Sequence, residues 1–150
     1  MNVQQKNKEK GFTIIEVVLV LAIAGLIFLM VFIALPALQR SQRDTQRRDD
    51  VSRFVSQLTS YSTNNRGNLP ADGSGTGSIQ EFLTDYMRSG DSEFKDPQSG
   101  DNYTVGDTAT VKQIRYDRGS NCEGATNVGN RQAAVSIKLE SGGDFCQNAK

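Results

Sequence analysis

The sequence predicts an α+β fold: a long N-terminal α-helix, membrane-spanning in its first half, packed on a small antiparallel β-sheet head. Three observations carry this. Val17 to Leu35 is an unbroken run of apolar residues with one glycine, Gly25. Val51, Phe54, Val55, Leu58 and Tyr61 then recur at helical spacing, which marks one apolar face. Further on, Ala133, Val135, Ile137 and Leu139 alternate with Ala134, Ser136, Lys138 and Glu140, the pattern of a half-buried strand.

The apolar run meets the roughly 20 residues a membrane crossing needs. It is apolar on every side, so it is no surface helix. It also exceeds the core of a cleaved secretory signal, about 7–15 residues, and Pro36-Ala37-Leu38-Gln39-Arg40 is a poor cleavage site. The reading is a membrane anchor. A polar stretch, Met1 to Lys10, ends in Gly11 just before it, and Glu16 lies inside the apolar zone. A carboxylate there costs a few kcal/mol, which marks Glu16 as functional with a partner to be found.

Beyond the membrane, Gln39 to Arg53 is dense in helix-compatible polar residues. Asp44 with Arg48, and Asp49 with Arg53, stand at i, i+4 in the favourable order. The helix is expected from about Thr13 to Ser62, about 75 Å if unbroken. Thr63 to Ser78 is rich in Asn, Gly, Ser and Asp and reads as a loop. Ile79, Phe82, Leu83 and Tyr86 mark a short amphipathic helix ending near Ser89-Gly90, and Asp96 to Gly100 a turn. Strands are expected at Tyr103–Val105, Thr110–Asp117, Ala133–Leu139 and Phe145–Cys146. Near-neighbour turns between them imply an antiparallel sheet.

Composition excludes several functions. Lys+Arg and Asp+Glu are 17 each, so the net charge is zero, against a binder of nucleic acid driven by overall basicity. There is no histidine, which rules out a Ser-His-Asp or Cys-His site and a His-ligated metal. Cys122 and Cys146 form no Cys-x-x-Cys pattern. In an exported domain two such cysteines usually pair; two buried thiols are the alternative. Asp91, Glu93, Asp96, Asp101 and Asp107 gather in a loop that matches no EF-hand, so they read as a solvated acidic loop. The arginines Arg40, Arg43, Arg47, Arg48 and Arg53 read as a solvated face neutralised by Asp44, Asp49 and Asp50, or as contacts to lipid headgroups and neighbouring chains; direct DNA binding is not expected.

The string Lys10-Gly11-Phe12-Thr13-Ile14-Ile15-Glu16-Val17 resembles the class III signal of type IV pilins and pseudopilins. A short basic leader (Lys6, Lys8, Lys10) ends in glycine, phenylalanine follows, a glutamate stands four residues later, and an apolar helix continues. The resemblance covers about the first 38 residues; the rest agrees in layout. It implies cleavage by prepilin peptidase between Gly11 and Phe12 and N-methylation of Phe12. It divides the chain into a leader (1–11), a transmembrane and assembly helix (12–38), a helix continuing into the head (39–62) and the head (63–150). The new Phe12 amine would pair with Glu16 of a neighbouring subunit, since a buried carboxylate is tolerated only when paired. Gly25 and Pro36 would let the helix loosen in a filament. Cys122 and Cys146 would close the family's disulfide-bounded loop. Calcium at Asp96, Asp101 and Asp107 would follow the secretion pseudopilins; no cofactor is expected otherwise.

These expectations describe a structural subunit that catalyses nothing. Its partners would be itself, as a helical homopolymer, the prepilin peptidase, an inner-membrane assembly platform, and membrane lipid before assembly. The precursor would span the cytoplasmic membrane once with its N-terminus inside; the mature form would sit in an extracellular pilus serving adhesion, motility or DNA uptake. The alternative is a pseudopilin of a type II secretion or competence system. A membrane-bound enzyme or receptor domain is a third reading, disfavoured by the lack of any catalytic constellation. The count of positive residues does not by itself set this orientation, because the far flank carries more arginines than the leader carries lysines.

Overall fold

The computed structural model describes residues 11–88 and 94–150. The leader residues 1–10, the expected helix end at Ser89-Gly90, and Asp91 and Glu93 lie outside them. By contacts the chain forms two units, Met1–Leu38 and Gln39–Lys150.

Helix α1 runs over Ile14–Asn64 and passes through both Gly25 and Pro36. In the first unit its large apolar side chains are exposed, from 43% at Val31 to 85% at Ile14. An 18-residue window there reaches a mean hydropathy of 3.2 with none of it buried. By length and composition this segment can cross a membrane.

In the second unit α1 presents Val51, Phe54, Val55 and Leu58 to the head core. The expected stripe is therefore the buried face, with Tyr61 at its edge. Phe54 is its hub. Its ring stacks on Phe94 at 5.8 Å and meets Phe82 edge-on at 5.4 Å and Tyr116 at 6.5 Å. One side chain thus ties α1 to the short helix, the loop after it and the sheet. Full burial of each such side chain contributes about 1.5–3 kcal/mol. On the other side of α1, hydroxyls of Thr45, Ser56, Thr59, Ser60 and Thr63 donate to the carbonyl four residues earlier, at 2.9–3.2 Å.

Helix α2 covers Ile79–Phe82 and begins at Ser78, whose hydroxyl accepts the Glu81 N–H. It runs into a π-helical turn, Leu83–Met87. Ile79, Phe82 and Leu83 face the core as their spacing predicts, and Tyr86 packs at its edge.

The strands are β1 (Thr104–Gly106), β2 (Gln113–Arg118), β3 (Ala133–Lys138) and β4 (Asp144–Ala149), in spatial order β1-β2-β3-β4. The β2–β3 and β3–β4 pairs are antiparallel, but β1 pairs with β2 in parallel, Thr104 opposite Gln113. The sheet is therefore mixed rather than antiparallel throughout. A parallel pair usually needs a long crossover. Here β1 is only three residues, about 10 Å, and the segment 107–112 can return that far. Strand β4 is also longer than the two residues expected. Val135 and Ile137 on β3, with Ile114 and Tyr116 on β2, face the core. The Tyr116 hydroxyl donates to the Pro70 carbonyl at 2.8 Å, pinning the loop after α1 to the sheet.

The β3–β4 connection, 139–143, turns through Gly142 (φ 96°) and Gly143 (φ 82°) in succession. Two left-handed residues in a row demand glycine. The turn presents Glu140 and Ser141 to α1, which sets up the cluster described next.

Candidate functional site

Gly11 and Phe12 lie in non-helical chain, and α1 starts two residues after Phe12. Thr13 stands at the N-cap and Glu16 three residues on. The Thr13 N–H and hydroxyl both donate to Glu16 Oε2 at 2.8 Å, and the Glu16 N–H reaches the Thr13 hydroxyl at 3.4 Å. This is a reciprocal capping box. It satisfies donors that a helix start leaves open, and it gives the Glu16 carboxylate two partners within its own chain. Phe12 is 90% exposed, and Phe12, Glu16, Val17, Val20 and Leu21 line one shallow apolar groove. The structure thus brings the expected processing and assembly residues to one helix end. Thr13 was missed, although Thr-x-x-Glu ahead of an apolar run is a readable helix start.

Gly25 and Pro36 are helical in this chain, with no heavy atom within 4 Å of where a Cβ on Gly25 would sit. Pro36 cannot donate to the Phe32 carbonyl, so the ladder of backbone bonds lacks one rung there.

In the head the arginines divide: Arg40, Arg48 and Arg53 are exposed, as the solvated-face reading expects, whereas Arg43 is half-buried. Arg47 is fully buried. Its Nη2 meets Asp96 Oδ1 at 2.6 Å, its Nη1 meets Glu140 Oε1 at 2.6 Å and Asp44 Oδ1 at 3.3 Å, and its Nε reaches Asp96 at 3.1 Å. Arg43 grips Glu140 with two bonds, 2.8 and 2.6 Å. Asp44 does not turn to Arg48; it accepts the Glu140 and Ser141 N–H groups at 2.8 and 2.9 Å. Arg48 lies over the Phe145 ring at 5.9 Å and Arg53 over Phe94 at 5.8 Å.

The cluster joins α1, the turn after Phe94 and the β3–β4 turn. Its electrostatics follow. Hydrogen bonds from Arg43, with Arg47 added, hold the Glu140 carboxyl down at about 2 against its burial. Burial works against the charge on Asp44, but the bonds from Ser141, Glu140 and Arg47 outweigh it and keep its pKa below the usual value. Asp96 behaves alike, with burial overcome by Arg47 and the Ser99 N–H. Burial also opposes the Arg47 charge; Asp96 and Glu140 more than restore it.

The acidic loop is solvated at Asp101 and Asp107, as expected, but not at Asp96. Asp96 is 1% exposed and bound to Arg47, whereas the Asp101 side chain is 76% exposed, 3.8 Å from Lys112. Among the described residues no three Cys, Asp or Glu side chains converge to hold a metal ion.

Cys122 and Cys146 form a disulfide, with Cα atoms 5.8 Å apart and a sequence separation of 24. It closes the 119–132 connection onto β4. Asn121 Oδ1 accepts the Glu123 and Ala125 N–H groups, and Asn148 Oδ1 accepts that of Cys122. Beside this loop the outer sheet face carries a polar groove of about 400 Å³, bordered by the Arg115–Asp117 pair, Ser136 and Asp144.

The prokaryotic N-terminal methylation motif matches residues 6–32. That segment contains Gly11, Phe12, the capping box and most of the apolar run. With the long apolar helix and the four-stranded head, this match supports the resemblance to type IV pilins and pseudopilins. No curated protein and no solved structure matches the chain.

Proposed function

We propose that this chain is the structural subunit of a type IV pilus filament, cut by prepilin peptidase between Gly11 and Phe12 and polymerised through α1. The observation that carries the reading is the methylation motif lying over a helix whose apolar surface is long enough to cross a membrane. Before assembly, lipid is the apolar phase for that surface; in a filament, neighbouring helices replace it. The precursor then spans the cytoplasmic membrane once with the leader inside, and an inner-membrane platform adds processed subunits to the filament base. The mature protein is extracellular and structural, not catalytic.

Glu16 has two roles in this scheme. In a single chain it closes the capping box with Thr13. In the filament it receives the charged Phe12 amine of an adjacent subunit, a partner that exists only after cleavage. Asp96-Pro97 favours the second reading, a pseudopilin of a secretion or competence machine, which shares the signal and the helix.

Intact-mass measurement on filaments sheared from the cell surface tests the proposal. A chain beginning at a methylated Phe12, with two hydrogens missing for the disulfide, supports an exported pilin. A processed chain confined to the membrane fraction supports the pseudopilin. A chain still carrying Met1–Gly11 in cells with active peptidase refutes both.

A further inference from the structure

Asp50 stands one helical turn beyond Arg47 on the inner side of α1 and is 6% exposed. Unlike Asp44, Asp96 and Glu140, it makes no ion pair among the described residues. Its hydrogen-bond donor is a neutral phenol: the Tyr103 hydroxyl, at 3.1 Å.

Tyr103 is itself fully buried and anchors the segment 94–103. Its N–H reaches the Phe94 carbonyl at 3.4 Å, its carbonyl accepts from Arg88 at 3.2 Å, and its ring lies 5.0 Å from that of Phe94. The Asp50–Tyr103 bond is therefore a tie between α1 and this segment. We propose that Asp50 and Tyr103 form a proton-operated latch, tight when Asp50 carries a proton and loosened when it does not, that sets how firmly segment 94–103 is held on α1.

The physical argument is one of desolvation. A buried carboxylate needs charge-assisted partners to replace water, and a single phenol is a poor replacement. A protonated carboxyl carries no such cost. The surrounding charges do not rescue the ionised form. From its own helix Arg53 favours it, while Asp49 opposes it; across the contact, Asp96 opposes it as well. Arg47 is already shared among three carboxylates. Burial, the largest influence, lifts the Asp50 carboxyl to about 6, with the Tyr103 bond pulling the other way.

Peeling the segment away returns Asp50 to water and to an ordinary carboxyl pKa. Opening is then coupled to loss of the proton, and the opening constant rises about tenfold between pH 5 and pH 7.5. Asp44, Asp96 and Glu140 all titrate below this window, and the chain has no histidine to titrate within it. Asp72 is also pushed up by burial, but it lies in the loop before α2 and serves as a control.

Two measurements on the full-length chain in detergent micelles test the latch. The first is the carboxyl ¹³C titration of Asp50, expected to have its midpoint near 6 and to move higher in Tyr103→Phe. The second is the exchange protection of the Tyr103 amide, corrected for intrinsic rate. It should fall about tenfold from pH 5 to pH 7.5, remain flat in Asp50→Asn, and keep its fall in Asp72→Asn. A wild-type midpoint at the ordinary value overturns the proposal whether or not Asp50→Asn folds. So does an undiminished fall of protection in folded Asp50→Asn.

Discussion

Arg47 and Asp96 meet at 2.6 Å with neither side chain reaching solvent. The arginine comes from the long helix and the aspartate from the loop after the short one, 49 residues on. This contact, with those to Asp44 and Glu140, makes the guanidinium the common partner of three carboxylates. Its removal would leave those charges buried and short of partners. We expect Arg47→Ala to destabilise the head by about 3–5 kcal/mol, read as a lower urea midpoint. Asp96→Asn should cost less, because Arg47 keeps Asp44 and Glu140. A loss for Arg47→Ala below about 1 kcal/mol, the range of exposed pairs, would mean that water reaches the cluster.

The same cluster sets the response to acid. The folded pKa of Glu140 lies near 2, below its ordinary value of 4.5. Its contribution is thus fully present above pH 4.5 and is lost as pH falls through that interval to 2. Asp44 and Asp96 are shifted in the same direction. Stability of the head should therefore drop steeply below pH 4.5, and Glu140→Gln should show a shallower drop in a series of urea melts. Identical slopes for wild type and variant would rule out Glu140 as a source of acid sensitivity.

Glu16 can be tested without confusing its two roles. Glutamine closes a capping box as glutamate does, but it carries no charge. Glu16→Gln should be processed normally and keep the helix start, yet yield few filaments, as poorly as Glu16→Ala. If Glu16→Gln assembles at the wild-type level while Glu16→Ala does not, the cap matters and the charge does not.

A charged residue at Gly11 should leave uncut precursor in the membrane, visible as the retained leader on a gel or by mass. Normal cleavage of Gly11→Asp would remove this glycine from the processing site.

The disulfide closes a loop onto β4 at a sequence separation of 24. Chain-entropy arguments give such a link about 3 kcal/mol. The pair Cys122→Ser with Cys146→Ser should lower the urea midpoint accordingly, and reduction of the wild type should match it. A midpoint unmoved by either would show that the hydrogen bonds of Asn121 and Asn148 hold the loop unaided.

Much of this was legible in the sequence, and the omissions have physical causes. The apolar run, the stripe from Val51 to Leu58 and the alternation on β3 are periodic signals, and each marks a buried or membrane-facing surface. The parallel β1 was not legible, because a three-residue strand carries no period and its partner is fixed by where the chain returns. The arginine cluster was half legible. Asp44, Arg47 and Asp50 extend the Val51–Phe54–Leu58 stripe backwards at helical spacing, so their burial could have been read from position. Their charge argues for solvent while their position argues for burial, and the partners, Asp96 and Glu140, lie too far along the chain for local spacing to reveal. At the N-terminus, the Thr13–Glu16 spacing marks a capping box, while the apolar context of the glutamate points instead to a distant partner.

The hydroxyls along the outer side of α1 already hold the carbonyls of their own helix. Thr45, Ser56, Thr59, Ser60 and Thr63 have thereby placed their protons without help from solvent. Drying that side strands none of those protons. A polar-looking strip of helix can therefore lie against another surface with a desolvation cost closer to that of alanine than its composition implies.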